Sequence, residues 1–471
     1  MKTTTGIALS SALLMAVPLS WAGQSDTAPG QKLEFIWQQS LPLRSGDPRI
    51  TSIGGTELRA LATFDNKLFA AVGYWMDTEM ASPGLPGAQV LRLDGADSQW
   101  QVDLELRDLI SSGTKKYMAI STLQKVRFTM DQRGQRLTQP VELLLAGVWK
   151  RDRGLDAFLR LSGPGFYRWF PTAIPGQEDA PRYSQIRAFS LHKDQVTGEE
   201  IAFAGAMSAI FAGKYDAERK NIAWDPQPEW RREVAAKPSP MAVVASFAEC
   251  NGKLYATAHD AIYQRLDGIS PTWMKIFETA IHLPSPRIVG LRGLTCIHDP
   301  SGSADVLLVG VEDSPSRIYR IDPRKTDPAG QYEATLELDV SSFLTQALGT
   351  EATYAIVAYN DMTKYPDSAG ACSHLLIGLE TVTLQTTVWF GEQHFNPHGY
   401  YLVRDCDGNY ALREIRDRRI EPEPQLVAVR TFAVTPFQSD PPGTVYAGGF
   451  DANYNSVHNT AWLYKGVPTA R

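Results

Sequence analysis

Residues 58–73 read LRALATFDNKLFAAVG, and residues 244–259 read VASFAECNGKLYATAH. Each holds a short apolar run, a turn, and a second apolar run that closes on small residues. Short apolar runs bounded by turn formers read as buried strands. The cadence recurs along the chain. First strands open at LRALA (58), YMAIS (117), IRAFS (186), VASFA (244), LRGLT (291), TYAIV (353) and VRTFA (429). Their second strands are KLFAAVG, ELLLAGVW, IAFAGAM, KLYATAH, VLLVGVE, LLIGLE and TVYAGGF. Ala and Gly gather in these second strands, as expected where backbones must approach closely.

A third strand closes on a cation and a turn: QVLRLDG, AFLRLSG, AIYQRLDG, RIYRIDP, YYLVRDCDG and AWLYKG, with IFAGKYDA the poor match. Its cations, Arg92, Arg160, Arg265, Arg320, Arg404 and Lys465, are expected on the outer side, solvated or paired between strands. Fourth strands are WQVDLEL, FYRWFP, WMKIFET, YEATLEL and YALREI, and the region near 230 offers PEWRREV. The last repeat ends without a fourth strand, and LEFIWQQSLPL (33–43) reads as the missing one.

Such units, repeated around a ring and closed by an N-terminal strand, resemble the β-propeller superfamily. The resemblance spans about 33–467 and implies an all-β, seven-bladed β-propeller, with six or eight blades as alternatives because 117–235 is the least regular stretch. No WD40, kelch, sialidase Asp-box or quinoprotein-dehydrogenase signature accompanies it. The implied layout is a leader at 1–22, a flexible stretch at 23–32, and one propeller domain at 33–471 closed by strand 33–43.

Of the 471 residues, 43% are hydrophobic and 21% charged, an ordinary globular balance. The formal charge of −6 disfavours nucleic acid and anionic membranes as non-specific partners. MKTTTGIALSSALLMAVPLSWAGQ combines Lys2, an apolar run from Ile7 to Val17 and small residues before Gly23, which predicts cleavage after Ala22. That run is too short to span a bilayer, so the expectation is a periplasmic or secreted protein with no membrane span. The four cysteines then suit disulfides. On the propeller layout all four fall at the end opposite the arginines described next, and the expected pairs are Cys250 with Cys296 and Cys372 with Cys406.

The resemblance also implies that first strands line a central channel and that the loops after second strands form a ligand face. One register position of the first strands reads Arg59, Met118, Arg187, Ala245, Arg292, Tyr354 and Arg430. Four guanidiniums converging on one axis need anions, and Arg suits carboxylate, sulfate or phosphate. Two readings stay open: a funnel for an anionic ligand, or staples between blades. The loops of that face carry Tyr74, Trp75, Asp77, Trp149, Lys150, His259 and Asp260. They also carry Glu312, Asp313, Glu380, Asp451, Tyr454 and His458.

For catalysis, His259 or His458 is the natural proton acceptor and Tyr74 or Tyr454 the donor, with arginines neutralising a substrate carboxylate. Such a set suits elimination from a uronate, or hydrolysis of an anionic ester or glycoside. The insertion 381–401 offers Trp389 for stacking on a sugar. His394 and His398 stand four apart, but Pro397 breaks the helix that would join them, so no metal site is expected. No dinucleotide, P-loop or HExxH pattern appears, and no cofactor is expected. The expected protein is an exported monomer that binds an anionic small molecule or saccharide, as a lyase or hydrolase if it is an enzyme. A non-catalytic envelope scaffold or lectin is the first alternative, and a quinone- or copper-dependent redox enzyme the second.

Overall fold

The computed structural model describes residues 33–41, 53, 55–74, 87–163, 168–178, 184–232, 243–282, 289–299, 304–328, 330–366, 372–384, 388–389, 392–393, 395–421, 424–451 and 460–469. The leader expected at 1–22 and the stretch 23–32 lie outside them. Among the described residues no helix is long and apolar enough to cross a membrane.

Antiparallel ladders join the strands into four-stranded units that follow one another along the chain. Unit 1 is Glu57–Phe64, Lys67–Gly73, Ala88–Leu93 and Gln101–Leu106, and unit 2 is Tyr117–Met130, Arg136–Lys150, Ala157–Leu161 and Trp169–Pro171. Unit 3 is Ile186–Lys193, Glu200–Ala206, Ala209–Asp216 and Asn221–Trp224. Units 4 and 5 are Phe247–Cys250, Lys253–Ala258, Ala261–Leu266 and Thr272–Glu278, then Leu291–His298, Asp305–Val311, Arg317–Thr326 and Tyr332–Asp339. Unit 6 comprises a split first strand, Ala352–Val357 and Thr363–Pro366, then Ser373–Thr383, Gly399–Arg404 and Tyr410–Ile415. Unit 7 is Ala428–Val434, Val445–Phe450 and Ala461–Pro468, completed by Phe35–Leu41 from the other end of the chain, which pairs antiparallel with Ala461–Pro468.

Two ladders differ from the sequence expectation. The fourth strand of unit 3 is Asn221–Trp224, and Trp230–Arg231 from PEWRREV makes only a short extra pairing with the third strand. In unit 2 the first two strands run on as a hairpin to Met130 and Arg136, whose tip lies on unit 3. There Phe128 stacks on Tyr215, and Thr129 donates its backbone N–H to Glu200.

Closure of the ring is visible in the core. Apolar clusters lie between units 1 and 2, 2 and 3, 3 and 4, 4 and 5, 5 and 6, and 6 and 7. A further cluster joins Tyr446 and Leu463 of the last unit to Leu58 and Leu91 of the first. Each second strand is therefore buried on both faces, which is why KLFAAVG, EIAFAGA and DVLLVGV are apolar almost throughout instead of alternating. Second strands close on small residues because they meet the next first strand: a Cβ at Gly378 would overlap the carbonyl oxygen of Val429. The fold is an all-β propeller.

The third-strand cations divide into two sets. Arg160, Arg265 and Arg404, of units 2, 4 and 6, are buried and reach back to the preceding unit. Arg160 Nε lies 2.9 Å from Asp103, which also accepts from Trp169. Arg265 binds Glu229 at 2.8 Å and Asp194 at 2.8 Å, with Trp273 on Glu229. Arg404 lies 2.6 Å from Glu337, which also accepts from Tyr410. Arg92, Arg320 and Lys465, of units 1, 5 and 7, are half-buried and bind acids of their own unit, Asp94, Asp299 and Asp440.

The staple joining units 3 and 4 is a test of this arrangement. Arg265→Ala strands Asp194 and Glu229 in the interior and should cost about 3–5 kcal/mol, the range for breaking a buried pair. Arg324→Ala, at a pair open to solvent, should cost within about 1 kcal/mol. Urea unfolding midpoints measure both. Burial alone would raise the Asp194 carboxyl, but N–H groups of Thr197, Gly268 and Val196, with Arg265, hold it below its ordinary value. Its stabilisation is therefore present above the unfolded value near 3.8 and is lost as pH falls through the depressed folded value.

Candidate functional site

The arginines of the first strands owe their direction to local irregularity in the ladders. The pairing register shifts between Leu58 and Ala60, between Ile186 and Ala188, and between Val429 and Thr431, so Arg59, Arg187 and Arg430 are the extra residues of bulges. In unit 5 the shift follows Arg292. A bulge re-aims a side chain that regular pleating would send into the neighbouring sheet. All four guanidiniums are buried, each residue 3–4% exposed.

They converge on one aromatic ring. The Cζ atoms of Arg430, Arg187, Arg292 and Arg59 lie 3.5, 4.2, 4.9 and 5.6 Å from the centroid of Tyr359. Arg59 donates to the Tyr359 hydroxyl, and Arg292 donates to its carbonyl oxygen at 3.0 Å. Tyr359 occupies the break in the split first strand of unit 6, an excursion over 358–362. Asn360 of the same excursion donates to the carbonyl of Arg59 at 2.9 Å.

Carboxylates hold three of the arginines. Arg59 lies 2.5 Å from Glu57, Arg292 2.5 Å from Glu312, and Arg430 3.1 Å from Glu380. Glu312 also accepts from Tyr354 at 2.7 Å and from the backbone of Val289 at 3.0 Å. Burial pushes Glu380 above its ordinary value, against the pull of Arg430 and with a further push from Glu312. Burial likewise drives Tyr354 well above its ordinary value, so it donates to Glu312 as a neutral phenol.

Arg187 differs from the other three. Among the described residues no carboxylate lies within ion-pair distance of it, its buried Nε has no hydrogen-bond partner, and it reaches the Tyr359 carbonyl only at 3.5 Å. Burial, then repulsion from Arg292, Arg59 and Arg430, draws Arg187 down to about 9, with Tyr359 opposing. The flanking units present Met118 and Ala245 at the equivalent position, neither of which supplies a charge.

Other expected face residues take different partners. His259 Nδ1 lies 3.3 Å from the carbonyl of Val289, turned to the backbone. Tyr74 is buried beneath Lys115, whose Nζ is 5.1 Å from its ring centroid. Trp149 packs on Arg59 at 5.2 Å, and Lys150 pairs with Asp156 at 2.9 Å. Asp260 binds Arg232, and Asp313 binds His282 and Arg317. Asp451 is buried at the end of the second strand of unit 7. His398 pairs with Glu414 at 2.7 Å. Trp75, Asp77, His394, Tyr454 and His458 lie outside the described residues, as does the side chain of Trp389.

Both disulfides form with the expected partners, Cys250 with Cys296 between units 4 and 5, and Cys372 with Cys406 within unit 6. These residues stand at the ends of strands opposite the arginines. A cleft of about 310 Å³ at that end is lined by His298, Lys364, Arg404 and members of both bridges.

No known family matches the chain, and no curated protein matches it in sequence. Solved structures do. The Dos1 propeller aligns at 11% identity and a TM-score of 0.42, covering 92% of this chain and 95% of that one. The NanB sialidase of Streptococcus pneumoniae aligns at 11% and 0.41, covering 92% and 71%. Sqt1 of Chaetomium thermophilum, solved with the N-terminus of ribosomal protein L10, aligns at 13% and 0.40, covering 88% and 90%. The likeness is one of fold, and what those proteins bind or act on belongs to them. The class defined by the ladders is an all-β propeller. This one has a tyrosine on a broken inner strand, set among four first-strand arginines.

Gly293 makes the room that Tyr359 needs. It has φ +63°, and a Cβ there would overlap the Cβ of Ala358, itself at φ +55°. Gly293→Ala should lower stability by about 1–3 kcal/mol, the usual cost of overpacking, in a thermal or urea melt. Ala358→Gly should be neutral or stabilising alone and should recover part of the loss in the double variant. Additive effects would show that the two residues do not share this space.

Proposed function

We propose that the protein is an exported, monomeric binding propeller whose arginine-ringed channel end accepts a carboxylate, with a uronate-bearing or otherwise anionic saccharide as the ligand class. The observation that carries this reading is the charge count: among the described residues Arg187 is a buried guanidinium with no carboxylate in ion-pair reach, while Arg59, Arg292 and Arg430 each have one. Arg presents a planar donor fork that a carboxylate matches. The two disulfides and the leader-like N-terminus support export.

A lyase or hydrolase acting on such a saccharide is the catalytic form of this reading. Binding is proposed ahead of catalysis because it rests on the arginines and Tyr359. Of the acid–base candidates, His259 has Nδ1 on the Val289 carbonyl, Tyr74 lies under Lys115, and His458 and Tyr454 lie outside the described residues. The second reading, a scaffold with arginines as staples, is favoured by the pairing of three of the four with Glu57, Glu312 and Glu380.

Thermal melts with glucuronate, galacturonate and uncharged glucose separate the two. A bound uronate at one hundred times its Kd should stabilise the protein by about 2.7 kcal/mol, less at high salt, and glucose should do nothing. Arg187→Gln should abolish the shift while melting close to wild type, because among the described residues it leaves no carboxylate without its arginine. A wild type unmoved by uronates, or an Arg187→Gln protein that melts far lower, selects the scaffold.

A further inference from the structure

Among the described residues the charges around Tyr359 do not close with carboxylates alone. Glu57, Glu312 and Glu380 face four guanidiniums. Arg187, even drawn down to about 9, is charged at neutral pH. A positive charge is left over in a site shielded from water, where an uncompensated ion is strongly disfavoured.

The bonding of the Tyr359 hydroxyl is a second, independent observation. Its oxygen accepts from Arg59, and among the described residues no acceptor lies within reach of its own hydrogen. A buried neutral phenol is less stable without an acceptor for that hydrogen. A phenolate requires only donors. Arg59 supplies one, and guanidiniums at 3.5 and 4.2 Å from the ring supply the surrounding positive charge.

We propose that Tyr359 is a built-in tyrosinate, the fourth anion of the arginine ring, and that a carboxylate entering this end of the channel replaces it. The exchange rests on the carboxylate-binding reading above. Its balance is simple: the ligand brings one negative charge, and the phenolate oxygen takes one proton from solvent to become a neutral hydroxyl. The excursion over 358–362 is then the occupant of the site in the absence of ligand.

The groups facing Tyr359 decide where it titrates. Unit 1 presents Glu57 and Arg59, unit 3 Arg187, unit 5 Arg292 and Glu312, unit 6 Tyr354 and Glu380, and unit 7 Arg430. Burial alone would raise the phenol. Arg187, Arg59 and Arg430 outweigh burial and the opposing Glu57, and hold it below its ordinary value. Tyr117, Tyr255, Tyr401 and Tyr446 are all pushed the other way by burial. Tyr359 should therefore ionise ahead of these four and below the value of about 10 for free tyrosine.

The test is the near-ultraviolet tyrosinate band of the full folded chain, followed against pH. Wild type should show the band already at neutral pH, ahead of the ionisation of free tyrosine at about pH 10, and Tyr359→Phe should lack it. Arg187→Gln should retain the step but move it upward, a check that remains if Tyr359→Phe does not fold. At a pH where the band is present, glucuronate should remove one tyrosinate equivalent and draw one proton per chain from a weakly buffered solution. No early band, or one that survives in Tyr359→Phe, overturns the tyrosinate. Glucuronate that stabilises the protein without bleaching the band overturns the exchange and leaves the binding reading standing. If the band is present and no uronate binds, it is the binding reading that fails, and the exchange fails with it, while the tyrosinate stands as a fixed counter-ion.

Discussion

The cluster of first-strand arginines depends on one phenol ring. Arg430 and Arg187 lie against it at 3.5 and 4.2 Å, and Arg59 and Arg292 bind its two oxygens. Four like charges brought to one axis repel each other, and the repulsion grows as water is excluded. The aromatic face attracts them, by about 2 kcal/mol or more per contact when desolvated, and the phenolate oxygen proposed above adds a negative charge to that attraction. Trp149 beside Arg59 and Phe450 beside Arg430 extend the same solution outward. Carboxylates then complete it at three of the four positions, so the tyrosine is the common element and the acids are local ones.

The arginines follow an alternation between units. Units 1, 3, 5 and 7 carry them at the axis, as Arg59, Arg187, Arg292 and Arg430. Units 2, 4 and 6 carry the buried third-strand ones, Arg160, Arg265 and Arg404, each binding an acid of the preceding unit, whereas the third-strand Arg92 and Arg320 of units 1 and 5 bind acids of their own unit. An aromatic donor of the same even-numbered unit, Trp169, Trp273 or Tyr410, holds that acid from a second side. The staples therefore join units 1 to 2, 3 to 4 and 5 to 6. The junction of units 7 and 1 is held differently, by the strand Phe35–Leu41 laid against Ala461–Pro468 and by the apolar cluster of Leu58, Tyr446 and Leu463.

Much of this was legible in the residues. The strand pattern, the completing N-terminal strand, the cysteine pairs and the common register of the four arginines all follow from short-range repetition, which a single sequence displays. What was not legible depends on partners distant in the chain. Arg160, Arg265 and Arg404 look like their neighbours Arg92 and Arg320 in sequence, and only the position of Asp103, Glu229 and Glu337 in the preceding unit separates buried staples from half-exposed pairs. Tyr359 was missed because it follows TYAIV in what reads as the connection to the next strand. The signal available was the length of that connection in the sixth repeat, with Asn360 and Asp361 placing turn formers where the strand was expected to continue.

The break in the unit 6 strand also holds a non-glycine residue at positive φ. Ala358 has φ +55° and Gly293, against it, has φ +63°. A non-glycine residue in that region is uncommon and is held there only when its surroundings over-determine it. Here the surroundings are electrostatic: Arg187 and Arg292 reach the Tyr359 carbonyl, Arg59 its hydroxyl, and Asn360 returns a hydrogen bond to the Arg59 carbonyl. An unbroken inner strand would put no aromatic ring at this point and would leave the guanidiniums facing each other. The strained turn and the charge cluster therefore stabilise one another, and an anion that satisfies the arginines removes the reason for the turn to stay where it is.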